Sequence, residues 1–123
     1  MGLERKGFFM PFVREQSGGT TYTHVGTNGN FYNQAGAFST NVSNLPAGTY
    51  LAIAVAGGNA NFSNLNITAS NGNVEMLNNY IAPYGYGQIY VAKVTLTAQG
   101  SIVASVTNNN GNSRTSIILT VMQ

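Results

Sequence analysis

The stretch TYLAIAVA, Thr49–Ala56, decides how the rest of the chain is read. Laid out as an extended strand it puts Leu51, Ile53 and Val55 on one face and Tyr50, Ala52, Ala54 and Ala56 on the other, because strand side chains alternate. Both faces are apolar or small, so the segment reads as the central strand of a sheet. Working outward, Ile89–Ala98 alternates in the same way, with Tyr90, Ala92, Val94 and Leu96 on one face and Lys93, Thr95 and Thr97 on a wetter one. Gln99-Gly100 is a turn signal, and Ser101–Thr107 follows with Ile102, Ala104 and Val106 alternating; the pair reads as a β-hairpin. Asn108 to Asn112 is a turn of residues that tolerate positive φ. Beyond it Thr115–Met122 closes the chain with Ile117, Leu119 and Val121 inward.

Weaker strands are expected at Thr20–Val25, Ala37–Ser43, Leu65–Ala69 and Asn73–Leu77, the last two joined by Asn71-Gly72 as a tight hairpin. No segment carries a 3.6-residue period, and Gly, Asn and Thr are spread throughout, which opposes long helices. About eight strands in a chain of this length predict an all-β fold: a single jelly-roll-like sandwich of antiparallel strands, with an immunoglobulin-like sandwich as the other arrangement. The body of the sandwich is expected over residues 20–123, preceded by an extended arm over residues 1–19 that ends at Gly18-Gly19.

Charge separates the two parts. Of 123 residues only eight are Asp, Glu, Lys or Arg, 7% where about 25% is ordinary, and five of them, Glu4, Arg5, Lys6, Arg14 and Glu15, lie in the arm. The body holds Glu75, Lys93 and Arg114. Three scattered charges cannot neutralise a run of phosphates, so nucleic acid is not an expected partner. No stretch approaches the roughly 18 apolar residues of a membrane-spanning helix, and no membrane partner is expected. Gly7–Val13 is short, broken by Pro11 and followed at once by Arg14 and Glu15, which does not fit a secretory signal.

The reactive inventory is thin. There is no cysteine and no aspartate; the histidine is His24 and the carboxylate of the body is Glu75. Paired carboxylates, a nucleophile beside a base, and the clustered ligands of a metal centre are all missing from the body, so an enzyme, a cofactor and a metal are not expected. His24, in the run TTYTHV, is expected to face solvent or a hydrogen bond. The sequons at Asn41, Asn61 and Asn66 are what a chain with seventeen asparagines produces by chance.

Two segments invite contact with something else. Tyr84 and Tyr86 stand in Pro83-Tyr84-Gly85-Tyr86-Gly87, a loop flanked by Asn78 and Asn79; such rings and amides can stack on and bond a sugar, or fold over the sandwich end and cap its core. The arm carries Phe8, Phe9, Met10, Phe12 and Val13 within six positions. Burying those five side chains contributes roughly 7–15 kcal/mol. Ordering about ten residues costs about 1–2 kcal/mol each for the backbone. These terms nearly cancel, so the arm is expected to order where a preformed groove receives it: on a neighbouring subunit or another protein, or as an edge strand on its own body. A body with three charges scarcely repels its own copies, which suits high-copy assembly.

From Phe38 to Val121 the chain resembles the small jelly-roll domains of tailed-bacteriophage virion proteins. The likeness lies in a polar strand leading into LPAGTYLAIAVAGG (Leu45–Gly58), then Asn-rich loops, then alternating strands to the end. The resemblance implies a virion structural protein on the particle surface, made in the host cytoplasm: a capsid decoration (cement) protein, commonly a homotrimer, that clamps the shell formed by the major capsid protein through an N-terminal arm. A tail or fibre tip that binds a glycan or receptor is the alternative it implies.

Overall fold

The computed structural model describes residues 21–58, 62–82, 87–109 and 115–123, the side chain of Phe62 excepted. They form eight strands and, among themselves, no helix: β1 (His24–Tyr32), β2 (Gly36–Leu45), β3 (Gly48–Gly58), β4 (Phe62–Ala69), β5 (Gly72–Ile81), β6 (Gly87–Leu96), β7 (Gly100–Asn108) and β8 (Thr115–Met122). Five make one antiparallel sheet in the order β1-β8-β3-β6-β5, and three make a second in the order β2-β7-β4. TYLAIAVA is the middle of the larger sheet, paired with β6 on one side and β8 on the other.

The core lies between the sheets. Tyr50, Ala52, Ala54 and Ala56 of β3, Ala92, Val94 and Leu96 of β6, and Ile117, Leu119 and Val121 of β8 point inward from the larger sheet. They meet Ile102, Ala104 and Val106 of β7, Leu65 and Ile67 of β4, and Phe38 and Leu45 of β2. Inward alanines at the centre, with Ala52 opposite Ala92 in register, let the two layers approach closely. Buried polar groups also tie the sheets together: Gln88 Oε1 on β6 accepts from Leu65 N–H on β4 at 3.2 Å. Tyr50, whose ring is core, donates its hydroxyl to the Pro46 carbonyl at 2.6 Å.

Both expected hairpins are corrected by the pairing. β6 and β7 lie in different sheets, and so do β4 and β5; β4 pairs with β7, and β5 with β6. The turns are where the sequence puts them, but each carries the chain across the sandwich instead of back along the same sheet. The two corners are bonded to one another: Ser70 N–H donates to Ser101 O at 3.0 Å, Thr97 N–H to Asn71 O at 2.8 Å, and Asn71 Nδ2 to Gln99 O at 2.8 Å. A strand pair in one sheet and a strand pair in the other are thereby stapled at one end of the molecule.

The first strand is also displaced from its expected place. β1 starts at His24 and runs on through Asn28-Gly29-Asn30 to Tyr32, where the expected strand covered Thr20–Val25. The asparagines work as side chains there: Asn28 Nδ2 donates to Asn41 O at 3.0 Å and Asn30 Nδ2 to Ser39 O at 2.7 Å, clasping the edge of one sheet to β2 of the other. The opposite seam, between β4 and β5, lacks such a clasp among the described residues. β5 is the edge strand of the larger sheet; its Val74 packs against the core, while Met76 and Ile81 are each more than half exposed.

Candidate functional site

Because all strand neighbours are antiparallel and successive strands alternate in direction, the connections gather at two ends. At one end are the corners Ser70-Asn71 and Thr97–Gln99, the chain end at Gln123, and the start of β1. There Thr23 and Gln123 exchange backbone hydrogen bonds of 2.7 and 2.9 Å, so the described chain enters and leaves side by side. At the other end are the strand ends that flank residues 59–61, 83–86 and 110–114. The base of the Pro83–Gly87 segment is closed by Ala82 N–H donating to Gly87 O at 2.8 Å.

Tyr84 and Tyr86 lie outside the described residues, as do Phe8, Phe9, Met10, Phe12 and Val13 of the arm. Asn78 and Asn79 are described, both exposed on β5, and they diverge. Asn78 is registered with Val91 and Tyr80 with Ile89, on the outer face of the sheet; Asn79 is registered with Tyr90 and points to the other side. The pair therefore cannot flank one ligand as neighbours in sequence suggest. Tyr80, 59% exposed, takes the second place, with Asn78 on its face and the Tyr84–Tyr86 segment attached a few residues beyond.

His24 is exposed and shares a 2.8 Å hydrogen bond between Nε2 and Thr27 Oγ1. Glu75 lies across the sheet from it, on β5, registered with Lys93 of β6. Among the described residues no group of three His, Cys, Asp or Glu could hold a metal ion, and no helix is long and apolar enough to cross a membrane.

What sequence reasoning missed is the outer face of the larger sheet. Leu51, Ile53 and Val55 make the second apolar face of TYLAIAVA, and a central strand in a sandwich need bury only one. In register across the sheet run Ile118, Val55, Ile89 and Tyr80; then Thr120, Ile53, Val91 and Asn78; then Met122, Leu51, Lys93 and Glu75. Val55, Ile89 and Ile118 are 40%, 42% and 47% exposed. Glu75 and Lys93, opposite each other, are the charges on these three rungs. At the corner end the face deepens into a hollow of about 230 Å³ lined by Tyr22, Thr49, Leu51, Leu77, Lys93 and Met122, among others. The signal was present in the uninterrupted apolar run of β3, but an apolar run does not say which of its faces the fold leaves open.

Compared with protein-family models, with curated proteins and with solved structures, the chain matches none.

Proposed function

We propose that the chain is a non-enzymatic structural subunit of a tailed-bacteriophage virion, a homotrimeric capsid decoration protein on a jelly-roll body whose N-terminal arm docks on the shell of major capsid protein and stabilises it. The finer fold name is supported by the strand order. β1-β8-β3-β6 stacked on β2-β7-β4 is the interleaving that a folded-over antiparallel ribbon produces. β5 departs from that scheme by lying beside β6 instead of beside β4.

The observation that carries the functional reading is the polarity of the body. The described chain enters at the corner end, while the segment bearing Tyr84 and Tyr86 is attached at the opposite end, on a body that carries three charged residues. A module tethered at one pole and presenting loops at the other suits a subunit held on a particle. Weak single contacts by an arm add up when many copies share a lattice.

The test is co-sedimentation with purified shells. The full chain binds and removal of residues 1–16 lowers apparent affinity by about a hundredfold or more, while the truncated body keeps its β-sheet circular dichroism. Equal binding by the truncated chain sinks the reading.

A glycan- or receptor-binding tip is the second reading, favoured by the exposed ring of Tyr80 beside Asn78. Replacing Tyr80, Tyr84 and Tyr86 with alanine then abolishes glycan binding with little change in melting temperature. A large loss of stability, with ligand binding unaltered, returns those rings to a capping role.

A further inference from the structure

The outer face of the five-stranded sheet has no described element over it, yet its middle rungs are Leu51, Ile53, Val55, Ile89, Val91 and Ile118. An apolar surface of this kind in water is a docking site or an aggregation hazard. The chain itself supplies a second such surface in Phe8–Val13, which contains no charged residue. We infer that in the free subunit the outer face is the seat of the chain's own segment Phe8–Val13, docked within the same subunit and released when the arm engages another protein.

Where the described chain begins is the first reason. Thr23 is held in register with Gln123 at the sheet's end. One residue earlier, Tyr22, 60% exposed, is among the residues that line the hollow, together with Leu51 of β3, Leu77 of β5 and Lys93 of β6.

Reach is the second. Nine residue-to-residue steps lead from Val13 to Tyr22, a span of up to about 30 Å. From the Leu51 rung to the Gly57 rung the face is about 20 Å long, and five strands make it about as wide. Every rung is within the tether, and a short tether gives an effective concentration in the millimolar range. A second copy competes for the seat only at comparable protein concentrations.

Surface chemistry is the third. Among the described residues the charges on the face, Glu75 and Lys93, are opposite each other at the hollow's side, so an uncharged segment crossing the Ile53 and Val55 rungs passes neither. Beyond those rungs Gly57 leaves open space above the backbone, a shelf on which an aromatic ring can lie flat. The arm and the face then hide one another from water in the free subunit.

The chain has no cysteine, so one placed at Gly7 (Gly7→Cys) carries a nitroxide without side reactions. In isotopically labelled protein bearing the nitroxide, the signals of Ile53, Val55 and Ile89 broaden, whereas Ser105 on the far sheet does not. When labelled protein without nitroxide is refolded together with unlabelled, nitroxide-bearing protein, the broadening disappears. Ile89→Asp with Ile118→Asp, or Phe9→Ser with Phe12→Ser should the first pair not fold, relieves the broadening. The same variants speed tryptic cleavage after Arg14 by about tenfold, as expected when cleavage tracks the undocked population. Broadening in neither sample, broadening that survives in the mixed sample, or broadening that persists in variants that fold each overturns the inference. It does not rest on the virion reading: all of this is measured on the isolated subunit, and shell binding keeps its own test.

Discussion

Asn71 has φ +58°, its amide donates to Gln99 O, and its carbonyl accepts from both the N–H and the hydroxyl of Thr97. The next residue, Gly72, packs so tightly that a Cβ would run into the backbone of Thr95 and Leu96. The two residues thus do different work: one supplies a left-handed bend with side-chain bonding, the other supplies absence of bulk. Asn71→Ala is expected to cost about 1–2 kcal/mol for the forced left-handed conformation, with the loss of the Gln99 bond added, and Asn71→Gly less. Gly72→Ala should cost more than either, because backbone must move. Urea unfolding midpoints of the three variants check the order; Asn71→Gly as damaging as Asn71→Ala would show that the bond and not the bend is what matters. Asn44 and Asn64 take the same left-handed conformation, each inside a register shift against β7. The asparagine bias, which in the sequence is only a bias, is in part a supply of bends and bulges. Which of the seventeen serve that way was not legible, since bends, clasps such as Asn28 and Asn30, and plain surface use the same residue.

Strands were legible where alternation is strong. β3, β6, β7 and β8 stand close to where the sequence puts them, and the inward residues of β6, β7 and β8 are the expected ones. The partners were not legible, because a turn signal reports that the chain reverses and not whether it reverses within a sheet or across to the other. β6 with β7 and β4 with β5 are the cases in point. The candidate site suffered for a related reason. Asn78 and Asn79 read as a pair, but consecutive residues on a strand face apart, and β5 extends as a strand to Ile81 where the sequence reading had stopped it at Leu77. β5 is the element with the least holding it. It is paired on one side and shifted in register between Met76 and Asn78. Hydrogen exchange should therefore release β5 amides well before those of β3, which is bonded on both sides. Thr in place of Met76 or Ile81 should change stability by under about 0.5 kcal/mol, against about 2–5 kcal/mol for Leu119→Ala in the core. Protection of β5 equal to that of β3 would mean that something covers its free edge in solution.

At the scale of the whole molecule, the described residues form a sandwich whose corner end holds Thr23 beside Gln123 and whose far end carries the strand ends that flank residues 59–61, 83–86 and 110–114. Composition foresaw the lack of charge on the body, but not that the largest strand would turn its second apolar face outward. That choice belongs to the stacking of five strands on three, which no local pattern encodes. The adjacency of Thr23 and Gln123 has a consequence of a different kind. Their backbones already share two hydrogen bonds, so a few glycines can join them and fresh termini can be cut between Asn109 and Thr115 without parting any strand pair. Such a circularly permuted body should fold with a melting temperature within a few degrees of the uncut one, as differential scanning calorimetry would record. It would hang from the opposite pole, and whatever is fused to it would be displayed upside down.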